Sequence, residues 1–262
     1  MESLSDSELS TDPDLAIRAL WALSRLEAMR KGDRLAPVEK AVALHDRLQP
    51  PPRASVLPAL MEKSLHHYNS ALATRHKELL AHADGQTGVE QKSGPGARVV
   101  TADERQAKET ILRIQEIAAA TLPPDDRQWI DVRMSDTALA ELDGDWDSAE
   151  RAIRDAEERL LASPDDESPR RLLQVLNKLV YVQEMNKKLP LATATRNRSI
   201  EILRRQKGPD YAQLWCFAID DHARQLALQG RCAEALARIR ELEAAYARPG
   251  MFGEPSLCQG KP

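Results

Sequence analysis

Asp143-Gly144-Asp145-Trp146-Asp147-Ser148-Ala149 joins two segments of helical pattern through one glycine, and Gln229-Gly230-Arg231-Cys232-Ala233-Glu234-Ala235 repeats the arrangement later in the 262-residue chain. After Gly144 the residues Trp146, Ala149, Ile153, Ala156 and Leu160 recur at steps of three and four, the stripe of an amphipathic helix. After Gly230 the stripe is Cys232, Ala235, Ile239, Leu242 and Tyr246, and before it Ile219, Ala223 and Leu226 form another. Two helices that cannot each bury a face alone, joined by a glycine turn, make a helical hairpin.

The two glycines lie 86 residues apart, and the midpoint, 43 from each, falls on Asn186-Lys187-Lys188-Leu189-Pro190, a turn signal between two further periodic segments. A period near 40 is in the range of helical-pair repeats. Three units then run from about Asp125 to Arg248. These residues resemble the tetratricopeptide repeat (TPR) family. Its hairpins carry a small residue in the first helix, a glycine and an aromatic at the turn, then Ala, a large apolar residue and Ala. Ala223, Gly230, Ala235 and Ile239 match one unit; Gly144, Trp146, Ala149, Ile153, Ala156 and then Pro164 match another. Leu242 replaces the last Ala, Pro164 comes late, and Arg133 and Asp136 stand where the family has large apolar residues. The resemblance covers a little under half of the chain.

Aromatic residues make up only 4% of the sequence while Leu and Ala recur throughout, a composition suited to close-packed helices. Arg98-Val99-Val100-Thr101 is the one short stretch with strand character. The expected fold is all-α. With the resemblance it becomes a right-handed α-solenoid of stacked TPR-like hairpins, with about ten helices. The expected organisation is a disordered head over residues 1–11, diverged helical hairpins over 12–83, a flexible loop over 84–100, the TPR-like repeat region over 101–248 and a disordered tail over 249–262. In the hairpins Asp12-Pro13 opens a helix through Leu15, Ala19, Leu20, Leu23 and Leu26; a second helix runs from about Pro37 to Leu48. Ala54–His82 is one long helix or two. Thr101 to Glu104 has the form of a capping box, and the Asp125–Leu142 helix leads into the Gly144 turn.

No apolar run approaches the roughly 20 residues that span a bilayer. The first residues, Met1-Glu2-Ser3-Leu4-Ser5-Asp6-Ser7-Glu8, are acidic where a signal peptide is basic and then apolar. Three widely spaced cysteines read as reduced, packed thiols, and a cytoplasmic protein is expected. No phosphate loop, nucleophile elbow or zinc-protease helix signature occurs, so no cofactor and no catalytic residue is expected. Glu62 and His66 form an i,i+4 pair that could hold a metal, but no second group of ligands has matching spacing.

Charge is unevenly distributed. Thr121 to Glu167 holds 15 acidic and 5 basic residues; Ser168 to Lys207 holds 2 acidic and 10 basic. Either the blocks cancel among themselves and in solvent, or Arg170, Arg171, Lys178, Arg196, Arg198, Arg204 and Arg205 present a basic surface to an acidic partner segment. Nucleic acid is disfavoured, because Tyr181 is the only aromatic in the basic block that could stack on a base.

The resemblance implies that the first helix of each hairpin lines a concave surface. The residues placed there are Asp131 and Met134, then Gln174, Asn177, Lys178 and Tyr181, then Phe217, Asp220, Asp221 and Arg224. The implied function is a non-enzymatic interaction module that binds a peptide or helix of a protein partner. Alternatives are a sensory or regulatory region of a bacterial signalling protein, and a helical metal-dependent enzyme.

Overall fold

The computed structural model describes residues 13–29, 33, 35–47, 53–83, 100–163, 168–206 and 209–246; the expected head, nearly all of the 84–100 loop and the tail lie outside them. Among the described residues there are ten α-helices and no strand. Helix α1 (Pro13–Met29) begins on a proline, whose missing N–H is no loss in a first turn. In α2 (Leu35–Arg47) Asp33 Oδ1 accepts from the N–H of Leu35 at 2.9 Å and of Ala36 at 3.3 Å. A 3-10 turn (Ala54–Val56) leads into α3 (Leu57–Ala83), which makes Ala54–His82 essentially one long helix. The Thr101 hydroxyl caps α4 (Ala102–Thr121) by accepting from Glu104 N–H at 3.1 Å. Helix α5 (Gln128–Asp143) starts later than Asp125, where Asp126 Oδ1 accepts from Gln128 N–H at 2.8 Å. Then follow α6 (Trp146–Ala162), α7 (Ser168–Met185), α8 (Leu189–Arg205), α9 (Pro209–Leu228) and α10 (Cys232–Tyr246).

Three of the turns are the same object. Gly144 (φ 75°), Lys187 (φ 58°) and Gly230 (φ 75°) take the left-handed conformation, and their positions step by 43 residues. Each ends a helix in the same pair of hydrogen bonds: Gly144 N–H to Glu141 O and Asp145 N–H to Ala140 O; Lys187 to Glu184 and Lys188 to Gln183; Gly230 to Ala227 and Arg231 to Leu226. The period therefore lives in the backbone as well as in the apolar pattern. A Cβ added at Gly144 would meet nothing within 4 Å, so a side chain there is opposed by backbone conformation alone. Gly144→Val is accordingly expected to lower stability by about 1–2 kcal/mol, while Lys187→Gly relieves the one left-handed turn that lacks glycine and raises it by up to about 1 kcal/mol. Urea midpoints of both variants check this; a neutral Gly144→Val would remove the backbone argument.

The chain packs as two compact units, Met1–Arg159 and Leu160–Pro262. In the first, α1 pairs with α2 and α3 with α4, and α5 packs on both α3 and α4. Its core includes Ile17, Leu20, Val38, Ala41, Leu57, Leu60, Ile114, Ile117 and Val132. A second layer sets the Tyr68 hydroxyl as donor to the buried Glu141 carboxylate. Arg133 and Asp136, misfits to an apolar pattern, bind each other at 2.7 Å; Arg133 also reaches Asp155 on α6 and lies 5.2 Å over the Trp129 ring. In the second unit α7 pairs with α8, α9 with α10, and α8 packs on α9 around Leu173, Ile200, Leu203, Ile219 and Leu242.

The hairpin register holds at Ile153, Ala156, Ile219, Ala223, Leu226, Ala235 and Ile239, all buried, while Trp146 is half-buried. The stripe expected in α1 is corrected. Leu15 and Leu26 are exposed, at 59% and 43%, and Ala19 is exposed too; the buried face is Ala16, Ile17, Leu20 and Ser24. Leu15, Ala19, Trp21, Ala22, Leu23 and Leu26 put apolar residues on both sides of that face, so periodicity could not choose between overlapping stripes.

Candidate functional site

Eight of the ten candidate residues lie on α7 and α9 in the second unit. Burial of Leu173, Leu176, Leu179, Val180 and Gln183 leaves Arg170, Gln174, Asn177, Tyr181 and Met185 as the exposed stripe of α7. Burial of Ile219, His222, Ala223 and Leu226 leaves Leu214, Phe217, Asp221, Arg224 and Leu228 as that of α9. Lys178 and Asp220 are half-buried at the edges of these stripes. Lys178 Nζ sits 5.2 Å over the Tyr181 ring, and Arg224 pairs with Asp220 at 2.8 Å. The aromatic anchors are well presented: Phe217 is 59% exposed and Tyr181 36%.

The structure adds three residues that sequence reasoning did not place here. Gln225 on α9 donates through Nε2 to Glu184 Oε1 on α7, which brings the two helices together. From α8, Arg196 reaches in and donates through Nη1 to Asn177 Oδ1 at 3.1 Å. Burial lowers the pKa of this guanidinium, with Asp221 and Glu184 opposing the shift. Burial likewise raises that of Glu184, and Asp221 adds to the effect, while Arg196 and Gln225 work against it. Arg196 is thus a half-buried side chain bonded across to α7, and it does not belong to the open basic surface that the sequence offered as one of two readings. Arg204 is also engaged, with Glu201 and with Glu241 of α10. An i,i+4 count cannot show that a side chain from the second helix of a hairpin crosses to the first; the only signal was an Arg preceded by small residues, Ala194 and Thr195.

Asp131 and Met134 are on α5 in the first unit, both half-buried. Asp131 lines a cleft of about 640 Å³ between α1, α3 and α5. Glu62 and His66 are half-buried on α3, where the neighbouring His67 ring meets Asp103 at 2.8 Å. Among the described residues no three His, Cys, Asp or Glu side chains gather as a metal would require, and no helix is long and apolar enough to cross a membrane. Cys216 and Cys232 are half-buried thiols.

No protein-family model matches the chain, and no curated protein does. Solved structures do. A crystal structure of the Podosopora anserina putative kinesin light chain nearly identical TPR-like repeats aligns with a TM-score of 0.59 at 16% identity, covering 90% of this chain and 97% of that one. A single-substitution variant of the same repeats aligns with the same values. At this identity the likeness speaks for the fold, and it agrees with the hairpins and the 43-residue turn period: the chain has the all-α fold of a TPR-like helical repeat protein.

Proposed function

We propose that the chain is a non-enzymatic protein-interaction module, and that the exposed stripes of α7 and α9 hold a peptide or helix of a partner. One observation carries this reading: Phe217 of α9 and Tyr181 of α7 are exposed aromatic side chains, Tyr181 with the Lys178 ammonium over its ring, among Gln174, Asn177, Asp221 and Arg224, which can hydrogen-bond a backbone. Aromatic anchors ringed by polar groups are the make-up of binding hot spots. The Gln225–Glu184 hydrogen bond ties α9 to α7, which reduces the ordering cost of binding. Arg170, Lys178 and Arg224, set against Asp220 and Asp221, leave a small basic excess that suits a segment with acidic residues.

The test separates anchors from charge. In affinity capture from the native cell, followed by titration with the purified partner, Phe217→Ala with Tyr181→Ala is expected to weaken binding by roughly tenfold or more. Lys178→Glu with Arg224→Glu should weaken it and make the remainder less sensitive to salt, with melting temperature nearly unchanged. Equal recovery by both double variants and the wild type would eliminate this face as the site.

A further inference from the structure

The imidazole of His222 lies on the buried face of α9, 1% exposed, and neither ring nitrogen has a protein hydrogen-bond partner. The charged groups that act on it are Arg196 of α8 and Arg231, Glu234 and Arg238 of α10. Three of these are cations, and the one carboxylate, Glu234, is already bonded to Arg231 at 2.7 Å. Arg238 is committed to Glu241 at 2.8 Å and to Asn197 of α8 at 2.8 Å. On α7 the carboxylate that reaches α9, Glu184, is engaged by Gln225. A proton taken up by the ring therefore finds no acceptor and sets a buried positive charge beside three others.

The hairpin that carries this ring is joined to α7 and α8 by an apolar seam, Leu173, Ile200 and Leu203 against Ala218, Ile219 and Leu242. Side-chain bonds add to it: Gln225 to Glu184, Gln229 to Thr193, Arg238 to Asn197 and Arg204 to Glu241. Arg238 both repels a protonated His222 and fastens α10 to α8, so the repulsion falls on the joint itself. We propose that proton uptake at His222 opens the last hairpin: on acidification α9 and α10 come away from α8, while α7 and the first unit stay folded. The sign follows from the ring. Burial, and after it the repulsion of Arg238, Arg196 and Arg231, lowers its pKa from 6.5 to about 4. An opened hairpin exposes the ring and restores the higher value, so the open form takes up the proton first and its share grows as pH falls between those values. Glu184 works the other way: burial raises its carboxyl pKa, so the closed form takes up that proton more readily. The inference concerns the hairpin itself and does not rest on the function proposed above.

Hydrogen–deuterium exchange of the full chain, corrected for the intrinsic pH dependence of amide exchange, reads the opening helix by helix. In the wild type, protection across α9 and α10 is expected to fall roughly tenfold or more between about pH 7 and about pH 5, while α3, α4 and α7 change by less than about threefold. His222→Leu and His222→Gln, each shown by its melting temperature at neutral pH to be folded, should hold α9 and α10 within about threefold over the same range. The proposal is overturned by an equal fall across all helices, by no fall, or by a fall that persists in both His222 variants. One readout needs no variant. In a nuclear magnetic resonance titration of the wild type, the His222 ring should remain the neutral imidazole until exchange across α9 rises. A ring that titrates near its ordinary value of about 6.5 while α9 stays protected is open to solvent in the closed hairpin, and overturns the proposal equally.

Discussion

Glu104→Ala is expected to cost about 2–4 kcal/mol of folding free energy, because it removes a buried carboxylate shared by two half-buried cations. Glu104 is 1% exposed in the first turn of α4. Its Oε2 lies 2.9 Å from Arg75 Nη2 of α3 and its Oε1 3.0 Å from Lys108 Nζ. The same Arg75 nitrogen donates to Leu142 O at 2.9 Å, near the C-terminus of α5, and Lys108 is 2.7 Å from Asp143. One carboxylate therefore locks three helices, with two cations placed where the end of α5 presents its carbonyls. Arg75 would keep Leu142 O and Lys108 would keep Asp143, which favours the lower end of the range. Urea unfolding measures it. A loss under about 1 kcal/mol would mean that water replaces the carboxylate freely, the behaviour of a surface pair. In a double-mutant cycle with Arg75→Ala, the two changes should be non-additive by at least about 1 kcal/mol.

His222→Leu is expected to remove about 3 kcal/mol of acid sensitivity. The ring is 1% exposed on α9, and neither nitrogen has a protein hydrogen-bond partner. Burial, with Arg238, Arg196 and Arg231 adding repulsion and only Glu234 opposing, lowers its pKa to about 4. In the unfolded chain the same group titrates near 6.5. Between these values the unfolded state binds the proton and the folded state does not, so stability falls as pH drops from about 6.5 to about 4. Leucine has similar volume and no proton to take up, so the variant's stability should decline less over that window. Carboxylates held below their usual pKa, such as Asp46 and Asp103, lose their contribution as pH falls through their lower folded values, in both proteins alike. Parallel stability profiles for the variant and the wild type would show that His222 is solvated in the native state. At neutral pH the substitution should be close to neutral, because it exchanges an unsatisfied polar ring for an apolar side chain.

The uneven charge along the chain admitted two readings, and the described ion pairs engage part of each block locally. Arg133, Arg154 and Arg159 of the acidic stretch pair with Asp136, Glu150 and Asp155 of that stretch. In the basic stretch Arg204 is paired with Glu201 and Glu241, and Arg196 is bonded to Asn177. A block count by sequence cannot see these pairings, since i,i+3 and i,i+4 partners and cross-helix partners contribute to it alike.

The sequence by itself determined the hairpins and their period. A glycine that must turn left-handed at 144 and 230, and apolar stripes at steps of three and four on either side, are local properties, carried by the backbone and one helix face at a time. The 43-residue midpoint even located Lys187, a left-handed turn without glycine. The exposure of Gln174, Asn177, Tyr181, Phe217, Asp221 and Arg224 followed from the same register. Only the tertiary structure decided which face of α1 is buried, because several overlapping apolar stripes satisfy one helix equally and the neighbours α2 and α3 choose among them. It also decided that Arg196 of α8 crosses to Asn177 of α7, and that Asp14, Glu62 and Asp131 line one cleft. Those residues lie on different helices, and the crossing of helices is set by the packing of whole faces, which no single periodic stripe encodes.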